Sequence, residues 1–271
     1  MKYLLLAAVA ALTASAAEAQ DNPDYRVRLG LGAQIQPDFI GAKSTDIAPL
    51  FHVKTARGTN LFKFGAPDDR AGIGLVGKGG FSAGPAFALA SGRKDKDVGA
   101  PVGKVGRTIE AGLFAQYQAG DSWRVRGELV KGINGHKGVV GAISADKIWR
   151  DGDRYVFSIG PRVQFGDGRY ERAFFGVSPR AALATGLPEY RPGGGIHSVG
   201  VASGASYQLN NRWGLFGFAR YERLVGDAAK SPIVREYGSR DQLSAGIGVN
   251  YTFNIQLFSA QPVSRRRPAR A

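Results

Sequence analysis

Residues 242–253 read QLSAGIGVNYTF, and this stretch decides the fold. Leu243, Ala245, Ile247, Val249, Tyr251 and Phe253 fall on one face of an extended chain, while Gln242, Ser244, Gly246, Gly248, Asn250 and Thr252 fall on the other. Successive side chains of a strand point to opposite sides, so one face is apolar throughout and the other polar or small. That is the pattern of a strand with lipid on one side and the interior of a barrel on the other. The same alternation recurs upstream at 25–36, 107–117 and 155–165. In the first of these Tyr25, Val27, Leu29, Leu31, Ala33 and Ile35 oppose Arg26, Arg28, Gly30, Gly32, Gln34 and Gln36.

Extending this reading predicts twelve strands, near 25–36, 46–54, 59–65, 71–77, 80–90, 105–118, 122–133, 138–149, 153–166, 196–208, 212–224 and 241–253. Tight turns are expected at 55–58, 77–79, 119–122, 150–153 and 210–211, with long connections at 91–106, 166–195 and 225–240. Short turns opposite long loops describe an all-β, transmembrane, antiparallel up-and-down β-barrel, and an even strand count returns both ends of the chain to the periplasm. A soluble β-sandwich also alternates apolar and polar residues. The aromatic residues separate the two. Trp123, Trp149 and Trp213, with Tyr25, Tyr117, Tyr155, Tyr207, Tyr251 and Phe253, all have outward parity and sit at strand ends beside short turns. Amphipathic rings at one level form an interfacial girdle, whereas a sandwich core has no reason to sort its tryptophans to one end.

The beginning of the chain fits this compartment. Lys2, an apolar run over 3–12 and the small residues before Ala17-Glu18-Ala19 have the layout of a secretory signal peptide, with cleavage expected after Ala19 and Gln20 at the mature terminus. The apolar run is too short for a membrane anchor, since a spanning helix needs roughly 20 residues. The chain has no cysteine, which excludes disulfides and the thiol that lipid attachment requires. Its 39 glycines argue against a helical domain, and no long apolar run offers a spanning helix. The barrel is expected over 20–253, followed by a basic tail at 254–271 that is expected to be disordered or to touch anionic lipid or peptidoglycan. Arg265, Arg266, Arg267 and Arg270 of that tail supply four of the net +14 charges. For an exported chain the anionic neighbours are outer-membrane lipid, lipopolysaccharide and cell-wall polymers rather than nucleic acid.

Catalytic chemistry finds little footing. A barrel that cleaves lipid or protein needs a nucleophile with a base, or a His-Asp pair that activates water. The three histidines, His52, His136 and His197, stand outside any recognisable serine or carboxylate motif, and adjacency is expected to put His197 and Ser198 on opposite faces of a strand. No His or acidic cluster has metal-ligand spacing, and the glycine runs at 30–32 and 193–195 do not join a strand to a helix, so no cofactor is expected. The inward charges say more. Arg26, Arg28, Lys63, Arg124, Arg126, Arg154, Arg162 and Arg220 are predicted to face the lumen, against Glu110, Glu128, Asp146 and Glu222. They make either an anion-attracting passage or a lumen closed by arginine-carboxylate pairs.

Five loop stretches resemble the MipA/OmpV family of outer-membrane proteins: PDFIGA at 37–42, GHKG at 135–138, FFGV at 174–177, GLPEYRPGGG at 186–195 and GDAAKSPIV at 226–234. Within the last two, Gly186, Tyr190, Gly193, Gly194, Gly195, Gly226, Asp227, Ser231 and Pro232 carry the resemblance. It implies a barrel in the outer membrane and, from the family's namesake, a non-enzymatic scaffold that links a murein hydrolase to a murein synthase. The chain departs from such barrels by running on past Phe253, where they usually stop. The second function consistent with the residues is a small anion-selective channel or solute-binding barrel.

Overall fold

The computed structural model describes residues 24–256; the expected signal peptide and the tail beyond 256 lie outside the described residues. Twelve strands form one antiparallel sheet: β1 (Tyr25–Pro37), β2 (Thr45–Arg57), β3 (Ala71–Gly72), β4 (Val76–Lys78), β5 (Phe81–Ala90), β6 (Thr108–Ala119), β7 (Trp123–Gly132), β8 (Val139–Asp151), β9 (Tyr155–Gly166), β10 (Gly195–Gln208), β11 (Trp213–Leu224) and β12 (Asp241–Ile255). The order is β2-β1-β12-β11-β10-β9-β8-β7-β6-β5-β3, with β4 also on β5. The sheet curls because the first strand pairs with the last, from Tyr25 opposite Ile255 to Ile35 opposite Ala245. Outward positions such as Phe51, Leu113, Leu129 and Ile247 are exposed and apolar, as a lipid face requires. No helix among the described residues is long and apolar enough to cross a membrane.

The ring side chains form the expected girdle at the short-turn end. Trp213 meets Tyr251 at 4.8 Å between ring centres, Tyr251 meets Phe253 at 4.7 Å, and the Lys147 ammonium lies 4.7 Å from the Trp123 ring. Inside, small residues make room for large ones. A Cβ on Gly30 or Gly248 would stand 2.7 Å from the Phe216 ring, so these inward glycines are packing partners of an aromatic side chain.

Two sequence expectations are corrected. The stretch 59–65 is not a strand of the wall. β2 continues to Arg57, and the chain then turns into the lumen instead of reversing into a hairpin; it regains the wall only at β3. From there it descends along β5 in two pieces, bridged by Ile73 N to Pro85 O (3.2 Å) and Leu75 N to Ala83 O (3.0 Å). Among the described residues the end strands β2 and β3 are not paired with each other. The second correction concerns His197 and Ser198, both of which are buried. A bulge between Ile196 and Ser198 inserts an extra residue into β10 and breaks the alternation that would have separated them.

The long connections contain short helices: α1 (Asp95–Val98), α2 (Gly168–Phe175), α3 (Pro179–Thr185), α4 (Gly226–Lys230) and α5 (Pro232–Tyr237). Their starts follow capping chemistry. Asp167 accepts from the Arg169 and Tyr170 amides at 3.0 and 2.8 Å, and Ser178 accepts from Ala181 N at 3.2 Å ahead of Pro179. Gly186 ends α3 at φ 74°, a left-handed position that favours glycine.

Candidate functional site: the filled lumen and its cap

The segment between β2 and β3 runs up the inside of the barrel, and the charges predicted to face inward close around it. The guanidinium groups of Arg26 and Arg28 lie 4.8 and 4.2 Å from the Phe62 ring, while Phe62 N donates to Asp153 at 3.0 Å. Arg124 lies 4.8 Å from the Phe64 ring. Asp69 then takes the Arg124 guanidinium, Asp68 takes Arg162 at 2.6 Å, and Arg70 reaches Glu110 at 3.0 Å and Glu128 at 3.1 Å. Asp146, fully buried, accepts from Arg124 at 2.6 Å and from Arg162 at 2.7 Å. Arg126 pairs with Glu128 at 2.6 Å and lies 4.0 Å from the Phe114 ring. Arg220 pairs with Glu222, which also receives Gln164. Desolvated charges persist only when opposite charges and hydrogen bonds meet them, and here they do.

Three predicted members stand apart. Among the described residues Arg28 has no carboxylate partner, and it donates to Thr252 at 3.1 Å beneath the Phe62 ring. Lys63 lines the cavity at the short-turn half. Arg154 is exposed in the turn between β8 and β9 and does not face the lumen: β8 extends to Asp151, which carries Arg154 past the end of the wall. Asp68, Asp69 and Arg70 were not among the predicted lumen charges, because a Pro-Asp-Asp-Arg run reads locally as a turn. The wall strands contribute five inward arginines that find acids, and these three residues complete the lattice from within.

The inner segment divides the lumen. A cavity of about 590 Å³ lies toward the loop end and another of about 550 Å³ toward the short turns, and Pro67, Asp69, Arg70 and Ala71 line both. Above the upper cavity, α2 covers the mouth with Tyr170 and Phe174. The Tyr170 ring sits between two buried histidines, 5.0 Å from His136 and 5.2 Å from His197. His136 Nδ1 accepts from Gly138 N at 3.1 Å, so its proton is on Nε2, which reaches Glu110 at 3.2 Å. His197 Nδ1 lies 3.0 Å from Glu171, whereas Ser198 Oγ turns to Glu222 at 3.4 Å. His52 meets Phe216 edge-on at 5.0 Å. Among the described residues no group of three His, Cys, Asp or Glu side chains is placed to hold a metal ion.

The five loop stretches singled out in the sequence assemble this one cap. Phe39 and Ala42 pack with Val177, Leu187 and Ile233. Phe175, Leu224, Ala228 and Val234 pack with Tyr170. Tyr190 Oη donates to Asp227 O at 2.9 Å, Gly193 N to the Asp227 carboxylate at 3.0 Å, and buried Ser231 Oγ to Phe175 O at 2.7 Å. The stretches at 186–195 and 226–234 thus dock on each other and on α2, although some 30 residues separate them.

Residues 29–253 match the family model described as MltA-interacting protein MipA. No curated protein matches the chain. Among solved structures, similarity extends to the COG4313 outer membrane channel from Pseudomonas putida F1, at 8% identity and TM-score 0.39, covering 88% of this chain and 100% of that one. OmpT of Vibrio cholerae gives 8% identity and TM-score 0.35 over 87% and 99% of the two chains. The translocator domain of the autotransporter NalP from Neisseria meningitidis gives 13% identity and TM-score 0.32 over 92% and 93%.

Proposed function

The chain belongs to the MltA-interacting protein MipA family, and from that premise we propose that this outer-membrane β-barrel protein is a non-enzymatic scaffold of the envelope rather than a pore. The observation that supports this reading is the lumen, which the Phe62-to-Arg70 segment crosses and which that segment, held by the arginine-carboxylate lattice, divides into two separate cavities. A passage needs groups that bind a solute and release it, whereas these groups are committed to one another. The non-enzymatic part is supported by His197 and Ser198, the one adjacent histidine-serine couple among the described residues, engaging different carboxylates, Glu171 and Glu222. The family description names MltA as a partner. A murein hydrolase or synthase met through the periplasmic turns or the tail is therefore the protein partner proposed, with membrane lipid and lipopolysaccharide around the wall.

Planar bilayers test the choice between scaffold and channel. The purified protein is expected to give little steady conductance, and crosslinking in intact cells is expected to capture a murein enzyme. A stable, anion-selective current that disappears when Arg124→Glu and Arg126→Glu are combined would overturn the scaffold reading, because it would show those charges guiding ions rather than holding Asp69, Asp146 and Glu128.

A further inference from the structure

A third cavity, of about 580 Å³, lies outside the lumen, between the loop that follows β5, helices α2 and α3, and the stretch around Tyr190. Its lining includes Arg93, Lys104, Arg172 and Arg191 against a single acid, Glu189. Arg93 is 2% exposed. It donates through one Nη to the Phe174 carbonyl and through the other to Gly103 O at 3.1 Å, while its buried Nε has no partner among the described residues. The nearby Asp95 carboxylate is occupied by Gly103 N at 2.6 Å. Burial outweighs the attraction of Asp95 and pushes the guanidinium down to about 10. Among the described residues neither Arg93 nor Lys104, Arg172 or Arg191 makes an ion pair with an acid.

The contrast with the lumen is direct. There every buried arginine except Arg28 meets a carboxylate, and Arg28 has the Phe62 ring. Arg93 has only carbonyl partners and, among the described residues, an unpartnered buried Nε, beside a cavity whose charged lining is basic except for Glu189. A desolvated cation in such surroundings calls for an anion. The volume lies in the range of small-molecule sites and is ample for more than a bare phosphate ion. The loop end is also the face turned toward the sugar-rich, phosphate-bearing glycolipid in the topology read from the sequence.

We propose that this cavity binds a phosphate-bearing saccharide, with Arg93 holding the anionic group from below and Lys104, Arg172 and Arg191 surrounding it. The saccharide belongs either to the headgroup of an outer-leaflet glycolipid or to a free sugar phosphate. Guanidinium groups favour phosphate through forked, charge-assisted hydrogen bonds.

Calorimetric titration of the full-length protein in detergent tests the site with glucose 6-phosphate, glucose, inorganic phosphate and purified lipopolysaccharide. Glucose 6-phosphate is expected to bind and glucose not. Lys104→Glu combined with Arg191→Glu, both at exposed loop positions, should weaken binding about tenfold or more, and Glu189→Gln should tighten it. Lipopolysaccharide that competes with glucose 6-phosphate identifies the lipid headgroup as the source; failure to compete identifies the free sugar phosphate. Absence of binding by either, affinity unmoved by the charge reversal, or inorganic phosphate binding as tightly as the sugar phosphate each overturns the proposal.

Discussion

The lumen and the cap both fill the same barrel, by opposite means. In the lumen, Arg124, Arg162, Asp146, Asp68 and Asp69 hold the inner segment through charge. In the cap, Phe175, Leu224, Ala228 and Val234 exclude water by contact. The difference follows from what each region has to work with. Inward positions of a membrane wall are supplied by the polar half of an alternating strand, so they can be closed only by pairing what is there. Loops are free of that alternation and can gather apolar side chains into a small core. The two regions should therefore respond differently to substitution, and in the lumen one lost carboxylate takes a partner from two arginines at once, leaving each with a single acid.

Asp146→Asn probes that asymmetry most severely, because this buried carboxylate bridges Arg124 and Arg162, each of which keeps only one other acid, Asp69 or Asp68. Leaving a buried charge uncompensated costs about 3–5 kcal/mol, and the expected loss is of that order or somewhat less, because two pairs are broken while Asp69 and Asp68 still meet the arginines. Urea unfolding from detergent should show it, and a loss below about 1 kcal/mol would mean the lattice is not a structural unit. Phe175→Ala comes next. A fully buried Phe→Ala change costs about 3–5 kcal/mol, but a cap can open without the wall. The expected outcome is faster proteolysis of the loops with the barrel band intact on a gel; simultaneous loss of both would join the two regions into one. Ser231→Ala leaves the Phe175 carbonyl without its donor and is expected to cost about 1–3 kcal/mol, visible as a smaller rise in the same cleavage. The mildest change tests sidedness: cysteine in place of Pro188 in the cap or Asp121 in a short turn should leave stability unmoved. In intact cells an impermeant thiol reagent should label only the cap position, and the reverse pattern would invert the topology.

The lumen was more legible in the sequence than the cap. Alternation along 242–253 or 25–36 names the residues that share a face, and strict pleating then fixes where they point. It does not say where the chain stays in the wall. Phe62 and Phe64 alternate as a lipid-facing strand would, yet their rings lie against Arg28 and Arg124, which only the fold brings near. The parity rule also misjudges Gly246, an inward glycine that looks tolerant of Ser. A Cβ there would stand 2.7 Å from the Phe218 ring, so the space is already filled. The bulge at His197 and the extension of β8 past Trp149 defeat strand boundaries in the same way, since both arise from register with a neighbour. The motif residues of the cap could be picked out from the chain, but their meeting at Asp227 depends on two distant loops folding onto one another. The local signals for its helices were present at Asp167, Ser178-Pro179 and Ser231-Pro232.

The inner segment has a consequence for the order of assembly. Arg70 waits for Glu110 and Glu128, 40 and 58 residues later, Asp69 for Arg124, 55 later, and Asp68 for Arg162, 94 later. Contacts so far apart close only after the intervening chain has been organised, and their loop entropy delays them further. β6 to β9 must stand before the segment has anything to grip. Interactions made after the rate-limiting step slow unfolding without hastening folding. Asp68→Ala and Asp69→Ala are thus expected to speed unfolding while leaving the folding rate unchanged, and a slowed folding phase would contradict this sequence of events. In kinetic terms the segment is a latch: it arrives on a finished wall and sets how long the finished barrel lasts.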